Sequence, residues 1–243
     1  TAPASQFPGY TGLELAIWKG VVEWGSELHG DGTGDPLSGN LLGDGGANFD
    51  AFWSGNADNV GSANSNIASA IGSCAASTLA FTETPISDGW RIRFCDNWIW
   101  DDGPGTISNR WDIQGVMCHE YGHALGLGHS GSGAATMFPS GSPGQTSIRS
   151  IALDDINGIQ CVYGVASVGK PVIVATSANV GLNTLTIYGS NFGASGVEVW
   201  LTPEAVTNTA ADPIVRVPGQ SSTGGGTILT ITIPAAAGPG DVI

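Results

Sequence analysis

Between Gly12 and His29 the apolar residues Leu13, Ala16, Ile17, Val21, Trp24 and Leu28 recur at intervals of three and four, the spacing of one helical face. The pattern predicts a long amphipathic helix over 12–29, closed by Gly30, with His29 as a surface or capping residue. Asn64 to Cys74 is rich in small residues and fits neither helical nor strand period. Thr78–Thr84 and Trp90–Cys95 read as strands. In the second, Arg91 and Arg93 alternate with Ile92 and Phe94, the period of a sheet with one apolar and one polar face. Asp112 is suited to cap the N-terminus of a following helix, and Pro139–Gln145, with Gly141, Pro143 and Gly144, reads as a loop. Trp98, Trp100 and Trp111 are expected to pack in the core rather than to meet a ligand.

From Ser167 the texture changes. Lys170–Val174, Thr184–Gly189, Val197–Trp200 and Thr227–Ile233 are short β-patterned runs between Gly, Asn and Pro turns, without helical periodicity. They predict a small antiparallel β-sandwich. The expected architecture is an α+β domain over 1–166 followed by an all-β domain over 167–243, and a chain of 243 residues is long enough for both.

Charge narrows the partners. Seven Lys and Arg against 21 Asp and Glu give a net charge of -14, which argues against nucleic acid and anionic membranes, since both need clustered cations. No apolar run reaches the roughly 18 residues a membrane span needs. Thr1–Ala4 carries no charged-then-apolar leader, and the chain reads as the mature form of a secreted, monomeric protein. Four cysteines allow three pairings, or four buried thiols.

The densest chemistry lies in His119–Ser130, HEYGHALGLGHS, which spaces His119, Glu120, His123, Gly126 and His129 as HExxHxxGxxH. Histidines four apart share a helix face and can bind one ion. Gly126 can take positive φ, end the helix and return His129 as a third ligand. Three nitrogens with one open position describe a catalytic zinc, with Glu120 placed to take a proton from water. Three of the chain's four histidines lie in this motif.

The motif resembles that of the metzincin metallopeptidases. Ala135–Pro139 looks like their methionine turn, with Met137 beneath the metal. Ser130 after the third histidine is what matrixins show, where astacins have Glu and adamalysins Asp. Leu153–Gln160 and Tyr163–Gly164 are similar to the last helix of a matrixin catalytic domain. The resemblance is close from Trp111 to Gly164. It implies a twisted mixed sheet, a long active-site helix and a C-terminal helix, one catalytic Zn2+, and hydrolysis of protein or peptide substrates with Glu120 as general base.

Further expectations follow from that likeness. Gly115 would lie at the floor of the pocket for the residue after the cut, with Phe138 and Pro139 in its outer wall. A missing side chain at Gly115 would deepen that pocket and favour a large apolar residue. Thr78–Thr84 would be the edge strand that pairs with substrate. Asp154 and Asp155 match paired aspartates that anchor the methionine turn and the mature N-terminus. Cys74–Cys95 and Cys118–Cys161 are the expected disulfides. The matrixins' second, histidine-rich zinc site is not expected, because only His29 remains. Ca2+ is the candidate stabiliser at Asp31–Asp35, Gly43–Gly46 and Asn56–Asn59, although such loops are also ordinary turn composition.

Leu185–Gly193 resembles the core signature of an IPT/TIG immunoglobulin-like domain, which implies a further strand after Gly238–Asp241 and a matrix or polysaccharide contact, or a spacer. The rival readings are a secreted adhesion or matrix-binding protein with a vestigial peptidase domain, and a hydrolase of non-peptide amides.

Overall fold

A computed structural model describes residues 10–26, 52–56, 67–72, 74–75, 77–83, 90–103, 106–165, 168–203 and 215–242. The chain divides into two compact units, one over Thr1–Ala166 with Thr207–Ala211, the other over Ser167–Val206 and Asp212–Ile243.

In the first unit the N-terminal apolar stripe becomes helix α1, Tyr10–Ser26. Leu13, Ile17, Val21 and Trp24 are fully buried. The helix starts earlier than its periodicity suggested, and Leu28, His29 and Gly30 lie outside the described residues, as do the calcium-candidate loops apart from Asn56. Gly20 is where α1 meets helix α2, Ile113–Ala124. A Cβ there would lie 2.6 Å from Gln114 O and 2.9 Å from Cys118 N. The two backbones touch only because that side chain is missing. Trp24 Nε1 adds a hydrogen bond to Cys118 O at 2.8 Å.

Four strands form the sheet: β1 (Phe52–Asn56), β2 (Ile67–Ile71), β3 (Ala80–Thr82) and β4 (Arg91–Cys95), in order β1-β2-β4-β3. β1, β2 and β4 run parallel, and β3 lies antiparallel to β4 at the edge. The ambiguous small-residue segment thus supplies β2, whose Ala68, Ser69 and Ala70 are fully buried. The polar face expected for β4 does not exist. All five of its residues are buried, Arg93 completely. Buried guanidiniums need anionic partners. Glu83 supplies one, accepting from Arg91 Nε and Arg93 Nε at 2.6 Å each, while Arg93 Nη1 donates to Ser69 Oγ at 2.5 Å.

Cys74 and Cys95 are joined, with their Cα atoms 5.8 Å apart. The second expected disulfide is not formed: Cys118 is a buried free thiol and Cys161 an exposed one. Cys118 is enclosed beneath α1, with Trp24 bonded to its carbonyl, while Cys161, on helix α3 (Leu153–Tyr163), faces solvent. Sulfurs facing opposite environments cannot meet the narrow geometry of a disulfide.

Two short parallel strands, β5 (Trp100–Asp101) and β6 (Trp111–Asp112), lead into α2. Trp100 is buried as expected, but Trp98 and Trp111 are only partly so and pack edge to face at 5.6 Å.

The second unit holds two three-stranded antiparallel sheets. One orders β11-β8-β7 (Ile228–Thr232, Thr184–Ser190, Val172–Asn179), the other β10-β9-β12 (Val215–Gln220, Val197–Pro203, Ala237–Val242). One core of Leu185, Ile187, Leu229 and Ile231 from the first sheet and Val199 and Leu201 from the second joins them, as face-to-face sheets require. Gly238–Asp241, expected to precede a further strand, lies within β12 itself. Among the described residues no helix is long and apolar enough to cross a membrane.

Candidate active site

Helix α2 presents the motif. Asp112 caps it, Oδ2 accepting from Gly115 N at 3.0 Å. Its far end closes as a Schellman motif: Leu127 N donates to Gly122 O, Gly126 N donates to His123 O, and Gly126 has φ 91°. The chain reverses there and brings His129 back to the helix. The ligand atoms of His119, His123 and His129 lie within 4.8 Å of one another, the one cluster of three or more such side chains among the described residues.

The tautomers are fixed by neighbours. His119 Nδ1 donates to Thr136 O at 2.6 Å, and His123 Nδ1 donates to Leu127 O at 2.8 Å. Each then presents the lone pair of Nε2, and His123 Nε2 stands 3.2 Å from His129 Nε2. Burial, reinforced by the neighbouring imidazoles, holds His119 down to about 4 and lowers His123 as well. Both rings are neutral at pH 7, the form that binds a metal. The matrixin likeness implies a zinc ion, and this donor set fits one: three convergent neutral nitrogens with backbone carbonyls orienting two of the rings.

Glu120 is 5% exposed. Thr82 Oγ1, on β3, lies 3.0 Å from its Oε2 and 2.7 Å from its backbone oxygen. Burial raises the carboxyl to about 7, and the Thr82 hydroxyl opposes that shift. A nearby dication would oppose it further.

Met137 is 2% exposed and lies against α2 where Gly122 has no side chain to obstruct its sulfur. The turn is held from α3. Asp155, itself buried, accepts from Thr136 N at 2.8 Å, Met137 N at 3.0 Å and Ala152 N at 2.8 Å. Asp155 is therefore the anchor of the methionine turn. Asp154 is exposed and accepts from Ser130 Oγ at 2.5 Å.

A cleft of about 580 Å³ opens beside His119, Glu120 and His129. Leu79 and Ala80, from β3 and the residue before it, line the cleft together with Phe138 and Pro139. Trp98 and Trp111 also line it, against the expectation of pure core packing. Gly115 does not line it, and the deep floor predicted there is absent. A Cβ on Gly115 would meet Ile148 Cγ1 at 2.7 Å, so the Ile148 side chain occupies the vacated space and itself lines the cleft. Ile148 is delivered by a 3-10 turn, Ser147–Arg149. Arg149 fixes that turn through Nε and Nη2 to Asp112 Oδ2 and Oδ1 at 2.7 and 2.9 Å. Thr82, Ile148 and Arg149 were invisible to motif reading, because no spacing links them to the histidines.

This geometry accompanies likenesses to known proteins. A family model described as Matrixin matches residues 49–164. Over those residues the chain is similar to matrixin domains. The chain is 36% identical over 88 residues to Metalloendoproteinase 1-MMP of Arabidopsis thaliana, covering 36% of this chain and 24% of that protein. It is 48% identical over 62 residues to Neutrophil collagenase of Homo sapiens, 26% of this chain and 13% of the other. Metalloendoproteinase 1 of Glycine max is 44% identical over 59 residues, 24% and 19% respectively. The chain spans a quarter or less of the length of these relatives. The matrixin match ends at Gly164, before the β-sandwich unit.

Proposed function

We propose that this protein is a secreted zinc-dependent endopeptidase. One observation carries the reading: three convergent histidine nitrogens sit directly beside the buried carboxylate of Glu120 at the end of an apolar cleft. A zinc ion held by His119, His123 and His129 supplies a Lewis acid that acidifies water and polarises a carbonyl. Glu120 accepts the proton of the attacking water and delivers it to the departing amine. β3 stands at one end of the strand order among the described residues, where an extended peptide can add by β-augmentation. The residue after the scissile bond then enters the cleft. Ile148 fills the space over Gly115, so that residue is apolar and of intermediate size rather than large. The disulfide Cys74–Cys95 fits an oxidising, extracellular compartment. The β-sandwich is read as an IPT/TIG-type module serving as spacer or matrix contact.

The test is a casein digest by the protein, by Glu120→Ala and by a chelated sample with zinc restored. Cleavage that falls by several orders of magnitude in the variant to a residual rate, is lost on chelation and returns with zinc is expected. Absence of cleavage by zinc-loaded protein, on casein and on a mixed peptide library, would overturn the reading in favour of a binding protein with a vestigial site.

A further inference from the structure

Thr82 stands apart from every residue the motif names. It belongs to β3, the edge strand, yet its hydroxyl reaches 38 residues along the chain to α2, within 3.0 Å of Glu120 Oε2 and 2.7 Å of Glu120 O. No other side-chain or backbone group among the described residues hydrogen-bonds the Glu120 carboxylate. Oε2 is thereby held toward β3, while Glu120 also contributes to the lining of the cleft. β3 is itself held firmly. It pairs with β4 through Ala80, Phe81 and Thr82, and the next residue, Glu83, is clamped by Arg91 and Arg93. The hydroxyl thus sits on a rigid support, the condition under which a hydrogen bond fixes a rotamer rather than following it.

We propose that Thr82 is a positioning residue for Glu120, fixing which carboxylate oxygen faces the cleft, and that it ties the base to the strand on which substrate would dock. This rests on Glu120 acting as general base. A methyl in place of the hydroxyl leaves the carboxylate free to rotate away from a productive approach while leaving the histidine cluster untouched. A hydrogen bond to a charged group corresponds to roughly 10- to 100-fold in rate.

The experiment compares Thr82→Val, Thr82→Ser and wild type on a quenched peptide that wild type cleaves, each also in a Glu120→Ala background, with thermal midpoint and zinc affinity by chelator competition measured in parallel. Thr82→Val is expected to lose about 10-fold or more in kcat with KM, zinc affinity and midpoint little changed. Thr82→Ser should recover most of the loss, and Thr82→Val should cost nothing further once Glu120 is Ala. An equal loss in both backgrounds, a loss confined to KM, or a failure of Ser to rescue would overturn the proposal. A variant that fails to fold is replaced by Thr82→Ala, read by the same double-mutant criterion. Failure of the peptidase reading is distinguishable, since wild type would then cleave nothing.

Discussion

Replacing Asp155 by Ala removes one side chain and strands three buried donors. The carboxylate, 2% exposed, accepts from Thr136 N, Met137 N and Ala152 N. Each buried donor left unsatisfied costs about 1–3 kcal/mol. The cavity is polar and can admit water to one or two of them, which pulls the sum toward the low end. A loss of about 3–6 kcal/mol is expected, a large fraction of the roughly 5–15 kcal/mol that holds a domain together. Asp154→Ala is the internal control. It is exposed and loses one solvent-facing bond to Ser130, so a change within about 0.5 kcal/mol is expected. Urea unfolding followed by tryptophan fluorescence measures both, because seven of the eight tryptophans precede Gly164 and report on the first unit. Asp155→Ala should shift the midpoint strongly at unchanged slope. A loss under about 1 kcal/mol, or one matched by Asp154→Ala, would refute the account of the methionine turn given above.

Three further outcomes are expected. Ile148→Ala should shift cleavage-site preference in a peptide library toward larger residues after the cut, and it should also rescue Gly115→Ala, whose Cβ otherwise strikes Ile148 Cγ1 at 2.7 Å; an unchanged profile with no rescue would disprove the plug. Glu83→Ala removes the carboxylate that Arg91 and Arg93 share and should cost about 3–5 kcal/mol in chemical denaturation, while a near-neutral result would mean those guanidiniums are adequately held by other groups. Glu14 is 5% exposed, Oε2 has no partner among the described residues, and burial raises its carboxyl from 4.5 to about 7. The folded state therefore keeps a proton that the unfolded chain releases, so stability is lost as pH rises from about 4.5 to about 7 and is level above that. Glu14→Gln should abolish that slope and raise stability at pH 8 by up to about 3 kcal/mol, and an unaltered slope in pH-dependent unfolding would contradict it.

The histidine cluster was legible because its chemistry is local: helix period, a positive-φ glycine and a returning ligand fall within eleven residues. α1 was legible for the same reason, and the cap at Asp112 and the alternating runs of the β-sandwich likewise needed only neighbours. What failed depended on partners distant in sequence. Arg91 and Arg93 alternate with Ile92 and Phe94 as on a strand with one polar face, and nothing local reveals Glu83 beyond β3. Gly115 suggested an empty floor because only the folded chain shows Ile148 swinging into it. Cys118 and Cys161 were paired from the proximity of two helices, but sulfur direction depends on the rotation of each helix about its axis. Thr82 carried no signal at all, being an ordinary strand threonine until α2 is laid beside it.

Helix α2 contains two interior glycines, Gly115 and Gly122, each unfavourable by about 1 kcal/mol relative to alanine. Both open space that other segments fill, Ile148 at one and Met137 with Trp24 at the other. The twelve-residue helix is also near or below the length at which isolated helices persist in water. A synthetic peptide of Asp112–Ser130 would therefore stay largely unstructured and hold metal loosely through mobile imidazoles. The metal site is a property of the surrounding domain, so its affinity for zinc gauges whether α1, the methionine turn and α3 are all in place.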